Sequence, residues 1–202
     1  MFSLFRKKAS PATLEQQLSE LSKCGIHLNS GVTVDDLLTL QTPEEYEAIP
    51  YKELIPVLGC DIQRKPYTPI CDRLWMCDYE RIDDHGTYSE VLIRLQKMSN
   101  AVLPISNISD FVDIEKGIAW LEFDLDGHHT HWDATVDNDW LDPHIIVKFD
   151  ELLLTHHSQC RIYSNHSDFG QSALFACFTQ VEFEQFKKLA TFEISGIAEQ
   201  AS

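Results

Sequence analysis

The chain is predicted to adopt an α+β fold, in which an N-terminal helical unit is followed by a mainly antiparallel sheet with helices packed on one face. Through the first sixty positions, apolar residues recur at helical spacing between capping residues. Beyond position 70, two-residue alternations come in pairs joined by tight-turn sequences rather than alternating strictly with helices. With 202 residues, 44% of them apolar and twenty-one aromatic, there is enough material for a packed core.

The elements follow in order. Ser10-Pro11 reads as a helix cap followed by proline at the first helical position, with Leu14, Leu18 and Leu21 on one face until Cys24-Gly25 ends the run. Thr33 caps a second short helix, Thr42-Pro43-Glu44-Glu45 opens a third, and Pro50 opens a fourth that ends at Gly59. Pro66 and Pro69 mark 61–70 as a linker between the helical unit, 1–60, and an α+β domain, 71–202. Alternation predicts a strand over 73–82, broken by Asp83-Asp84-His85-Gly86, then a helix over 88–97 and a strand over 111–114. Strands at 118–125 and 129–136 flank Asp126-Gly127, a dipeptide that tolerates the positive φ of a tight hairpin turn. Asp142-Pro143 starts a helix reaching about position 156, and strands follow at 160–164 and 173–178. Thr179 and Glu182 form a capping box for a helix to about position 189, and 191–194 reads as a last short strand.

Charge is distributed unevenly. The formal charge is -16, yet residues 1–70 contribute only -2 of it. The stretch 110–151 holds twelve acidic residues against Lys116 and Lys148, together with Trp120, Trp132 and Trp140. So acidic a chain repels DNA, RNA and anionic membrane surfaces and favours basic proteins or cations. No apolar run reaches the eighteen residues a membrane span requires. The opening residues lack the order of charge and apolar core that a secretory signal has. The six cysteines show no C-x-x-C pairing and read as buried thiols of a cytoplasmic protein.

Three constellations bear on chemistry. His129, His131 and Asp133 alternate along one strand, so all three point to one face; two imidazoles and a carboxylate can hold zinc, or iron with open positions, if a further ligand arrives from elsewhere. Asp137, Asp139 and Asp142 imitate a cation-binding loop but lack the glycine and glutamate that an EF-hand needs, and Asp142 is better read as a helix cap. Ser164-Asn165-His166-Ser167-Asp168 contains the residue types of a catalytic triad, but in local succession and without a nucleophile elbow, and so reads as a polar loop. Trp120 and Trp132 are expected to pair across the hairpin in the core, whereas Trp140, in a turn between Asp139 and Leu141, is expected to be exposed.

The frame Leu28-x-x-Gly31-Val32-Thr33, with Asp36-Leu37-Leu38, Glu45-Tyr46-Glu47, Pro50-Tyr51, Leu58-Gly59, Trp120-Leu121-Glu122-Phe123, Trp132 and 136–142, resembles small acidic bacterial proteins of the immunity type. That resemblance spans most of the chain and transfers no catalytic residue. It implies a protein that neutralises a contact-delivered or polymorphic toxin by occluding its active site or holding it inactive.

The leading expectation is therefore a cytoplasmic binding protein, not an enzyme, that needs no cofactor. It would neutralise a basic toxin, for example a nuclease, through Asp124, Asp126, Asp137, Asp139 and Trp140. The alternatives are a metal-dependent hydrolase or oxygenase built on His129, His131 and Asp133, and an adaptor or scaffold that binds its partner through residues 1–60.

Overall fold

The computed structural model describes residues 12–197. Four short helices open the chain: α1 (Leu14–Ser22), α2 (Val34–Leu38), α3 (Pro43–Ala48) and α4 (Leu54–Leu58). The Ser10-Pro11 start lies outside the described residues. Within them α1 begins on Thr13, whose Oγ1 accepts from the Gln16 N–H while Gln16 Oε1 accepts from the Thr13 N–H. Thr33 and Thr42 cap α2 and α3 by the same reciprocal device. The fourth helix starts at Leu54, four residues later than Pro50 suggests. Tyr51 takes φ 71°, a left-handed conformation that interrupts helical progress, and its N–H donates to Gln17 Oε1 at 2.7 Å. The fully buried Gln17 also donates to the Tyr46 carbonyl at 2.9 Å, tying α1 to the corner between α3 and α4.

The segment 61–70, read as a linker, contains a short antiparallel ribbon of β1 (Asp61–Ile62) and β2 (Thr68–Pro69). Then come β3 (Leu74–Asp78), α5 (Thr87–Met98), β4 (Ile105–Asp113), β5 (Ile118–Leu125), β6 (His128–Ala134) and α6 (His144–Thr155). The chain closes with β7 (Cys160–Asn165), β8 (Ser172–Thr179), α7 (Gln180–Phe186) and β9 (Ser195–Gly196). All ladders are antiparallel, and the larger ones form a four-stranded sheet in the order β3-β8-β7-β9 and a three-stranded sheet in the order β4-β5-β6. The α+β class is thus as the sequence indicates. Three strand boundaries move most: β3 ends at Asp78, not 82, where the chain leaves β8 and the Arg81 and Ile82 N–H groups donate to the Asp139 carbonyl instead, and β4 starts at Ile105, because a bulge at Asn107, φ 51°, hides its two-residue period. The last strand pairs at 195–196, not 191–194, because the Asn165 amide donates to the Glu193 carbonyl and holds the preceding segment beside the end of β7.

Both faces of the four-stranded sheet are covered. Along β8, Ala173, Phe175 and Cys177 enter one hydrophobic cluster, shared with α5, α6 and the inner face of the three-stranded sheet. Leu174, Ala176 and Phe178 enter a second, shared with the N-terminal helices and α7. The unbroken apolar run at 173–178 is the signature of a strand with no solvent face. Buried polar groups tie the layers: Arg94 of α5 donates to the Cys71 and Leu74 carbonyls at 3.1 and 2.9 Å, and Asp150 of α6 accepts from the Ile162 N–H at 2.7 Å. All six cysteines are free thiols, and all but the half-buried Cys60 are buried. No described helix is long and apolar enough to cross a membrane.

Gly59 marks where the helical unit meets the sheet. Its carbonyl accepts from the Met76 N–H at 2.8 Å, and a Cβ there would lie 2.7 Å from the same nitrogen. Backbone on that side cannot yield as a flexible side chain would. Gly59→Ala is expected to destabilise the fold by about 1–3 kcal/mol through overpacking, measured as a lower urea midpoint with an unchanged slope.

Candidate functional site

The five expected contact residues fall in two places. Asp124 and Asp126 sit at the tip of the β5–β6 hairpin, where Asp126, φ 51°, and Gly127, φ 76°, make the tight turn that the sequence indicates. Asp124 accepts from Asn107 Nδ2 at 2.6 Å. Asp137, Asp139 and Trp140 lie beyond the far end of β6, in an exposed turn before α6. The six steps of β6 separate tip from turn by roughly 20 Å, so these residues do not form one compact patch.

The outer face of the hairpin carries Trp120, Glu122 and Asp124 on β5 opposite Asp133, His131 and His129 on β6. The expected pairing of Trp120 with Trp132 does not occur. Trp132 faces Leu121 in the register, one position out of phase with Trp120, so the two indoles point to opposite faces. Trp132 packs edge-on against Phe123 in the core, at a centroid distance of 4.9 Å. Trp120 instead stacks on Phe111, which in turn stacks on His85, forming an aromatic ladder across the outer face.

The structure brings His129, His131 and Asp133 to that one face, as the alternation implies. Their geometry is that of a hydrogen-bonded network. Glu122 Oε1 lies 2.8 Å from His131 Nδ1 and Asp133 Oδ1 lies 3.1 Å from His131 Nε2, so carboxylates claim both ring nitrogens. His129 stands 3.7–3.8 Å from Asp124 and Glu122. Among the described residues no group of three or more His, Cys, Asp or Glu side chains is arranged to hold a metal ion. The hydrogen bonds to Glu122 and Asp133 push the His131 pKa above the ordinary histidine value.

A different site emerges where the 137–140 turn meets the end of β3. The Trp140 N–H donates to the Asp137 carbonyl at 3.0 Å, and the Leu141 N–H to the Tyr79 carbonyl at 2.8 Å. Arg81 and Ile82 N–H groups both donate to the Asp139 carbonyl, at 3.0 and 2.8 Å. These bonds hold Trp140 against Tyr79, with ring centroids 6.5 Å apart and planes inclined by 23°. Beside the pair opens a cleft of about 730 Å³, lined by Asp137, Trp140, Leu141, Asp142, Val147 and His166 among others.

The walls of the cleft are stiffened by hydrogen bonds. The Asp142 carboxylate accepts from the Thr135 N–H at 2.7 Å and the His144 N–H at 2.9 Å, and meets His144 Nδ1 at 2.8 Å. Burial works to raise the Asp142 pKa, but these bonds outweigh it and hold the group below its ordinary range. Asp142 thus serves the start of α6 as the sequence suggests, although Pro143 itself occupies the cap position. The run 164–168, read as a polar loop, begins in the structure with the last two residues of β7, and His166 Nε2 lies 3.0 Å from Ser164 Oγ while its Nδ1 lies 3.2 Å from the Tyr79 hydroxyl. Partial burial lowers the His166 pKa, and burial raises that of Tyr79. Tyr79 and His144 carry no motif in the sequence, and His166 is read there only as part of a polar loop, because irregular backbone pairing gathers the three.

No family model matches the chain, and neither a curated protein nor a solved structure matches it.

Two measurements check the electrostatics. The His131 imidazole is expected to titrate above the ordinary value of about 6.5, and Glu122→Gln to bring it down, as read by NMR. Its contribution to stability is present below the ordinary value and is lost as pH rises through the raised one. Asp142→Ala is expected to cost about 1–3 kcal/mol by removing the charged acceptor of the part-buried Thr135 and His144 N–H groups. Because a lowered carboxylate stabilises the fold above its unfolded pKa and loses that effect as pH falls, the deficit in urea stability shrinks below about pH 4.

Proposed function

We propose that this chain is a binding protein of the immunity type, which acts in the cytoplasm by engaging a basic partner such as a nuclease toxin. The observation that carries this reading is unneutralised charge. Of the twelve carboxylates between positions 110 and 151, only Asp113 forms an ion pair with a lysine or arginine, Lys116, among the described residues. Lys148 donates to the Asp133 carbonyl and lies over the Trp132 ring, and so neutralises none of them. An exposed aromatic side chain, Trp140 at 38% exposure, stands in the midst of this charge, matching the aromatic centre and charged rim that protein interfaces favour.

Immunity function needs fast capture, and a surface field of one sign supplies it by steering a basic partner into contact. Free cysteines suit a reducing compartment. The hairpin tip and the 137–140 turn each offer carboxylates, and their separation of roughly 20 Å lies within the reach of an ordinary protein interface.

The natural candidate partner is the product of the neighbouring gene. Its association with this chain, followed by stopped-flow, is expected to slow at least about tenfold between low salt and half-molar salt. Reversing Asp124, Asp126, Asp137 and Asp139 to lysine is expected to flatten that salt dependence. A neighbouring product that is not basic, or a rate untouched by charge reversal, sinks the reading.

A further inference from the structure

The cleft beside Trp140 combines three properties that together select a ligand. Its wall offers a flat aromatic surface, because the Trp140 indole is partly exposed while its stacking on Tyr79 fixes its plane. Its lining includes two carboxylates, Asp137 and Asp142, and no lysine or arginine. The hydrogen bonds of Asp142 are taken by Thr135 and His144, whereas the exposed Asp137 carboxylate accepts, among the described residues, a long bond of 3.4 Å from Asn138 Nδ2. Just outside, Asp78 and Glu80 share the Gln171 amide at 3.0 and 3.1 Å, adding negative charge at the lip.

Both histidines of the cleft are engaged by neighbouring side chains. His144 turns its Nδ1 to Asp142, and His166 is held between Ser164 and Tyr79. Leu141 and Val147 supply apolar wall, and the volume of about 730 Å³ exceeds what one long side chain fills. An aromatic plane, a carboxylate lining the same cleft and an apolar wall suit a planar cation on an aliphatic stem. A guanidinium stacks on an indole and pairs with a carboxylate at once, whereas an ammonium, compact and strongly hydrated, does neither as well.

We infer that the cleft is a receptor for an arginine side chain of the basic partner, with the guanidinium stacked on Trp140 and paired with Asp137, and the stem along Val147 and Leu141. This inference rests on the binding reading above and adds its chemical selectivity: the long-range field attracts any cation, and the cleft chooses arginine over lysine. The partner's arginine would enter the cleft as the anchor of the interface.

The probe is N-acetylarginine amide, titrated against N-acetyllysine amide and followed by NMR of the Trp140 indole, which is assigned by its absence in Trp140→Phe. We expect a saturable shift with the arginine compound, binding of the lysine compound weaker by about fivefold or more, and a loss of about fivefold to tenfold in Asp137→Asn. Absence of a saturable shift, equal response to both compounds, or indifference to Asp137→Asn overturns the inference. Hexa-arginine and hexa-lysine then separate it from the reading it rests on. If both bind with strong salt dependence but independently of Trp140 and Asp137, the arginine receptor is wrong and the acidic binding surface stands. If neither binds, the binding reading itself fails.

Discussion

Strand β8 is the constraint on which the rest of the molecule depends, because it is buried on both faces and each face belongs to a different core. Phe175 and Phe178, three residues apart and both fully buried, fill the two clusters from opposite sides of one backbone. Removing either side chain would leave a void of the kind that costs a protein about 3–5 kcal/mol. The N-terminal helices therefore act as the lid of one core, not as an appendage. Gly59 brings the end of α4 within hydrogen-bonding distance of β3, where any larger residue would meet backbone. On the opposite side the second core seats α5, α6 and the three-stranded sheet, whose outer face is left to solvent.

That arrangement explains how the chain tolerates so much uncompensated charge. The acids are concentrated on the solvent-facing positions of β5 and β6 and in the turn that follows, where water screens their repulsion. The few that are buried are matched by donors: Asp142 by two backbone N–H groups and an imidazole, Asp150 by the Ile162 N–H. Negative charge at the surface leaves the molecule with a field of one sign that attracts cations. The 137–140 turn matters most because it is the place where that field meets structure. Backbone bonds to Tyr79, Arg81 and Ile82 hold it against β3, and the packing of α6 and the connection between β7 and β8 shapes the cleft beside it.

Much of the local structure was legible in the amino-acid sequence, for reasons that differ by element. Thr33, Thr42 and Thr179 announce their helices because a reciprocal cap needs only four consecutive residues. Asp126-Gly127 announces the hairpin because few dipeptides accept two positive φ angles. The alternation at 118–125 gives the register, and the same register, carried one strand further, shows that Trp120 and Trp132 cannot share a face. The strand at 173–178 was legible, but its cover was not: helices are expected on one face of the sheet, and the structure packs both faces of β8. The late start of α4 was not legible, because it rests on a left-handed Tyr51 secured by a buried Gln17 from another helix. Nor was the cleft, since Tyr79, Trp140, His144 and His166 are brought together by loop backbone bonds that leave no periodic trace. Alternation did place His129, His131 and Asp133 on one face, but it could not foresee that Glu122, across the ladder, would take a ring nitrogen of His131.

The central claim is that a rigidly held acidic turn and its aromatic cleft are where this protein meets a cation-bearing partner. Backbone hydrogen exchange, followed for the chain alone and with excess hexa-arginine, tests it directly, since it locates contact without altering a residue. The account predicts slowed exchange at 137–141 and at 79–82, whose amides secure the turn, with β8 exchanging only by global unfolding in both states. Protection that appears only on the outer face of the β5–β6 hairpin, or nowhere, would contradict it.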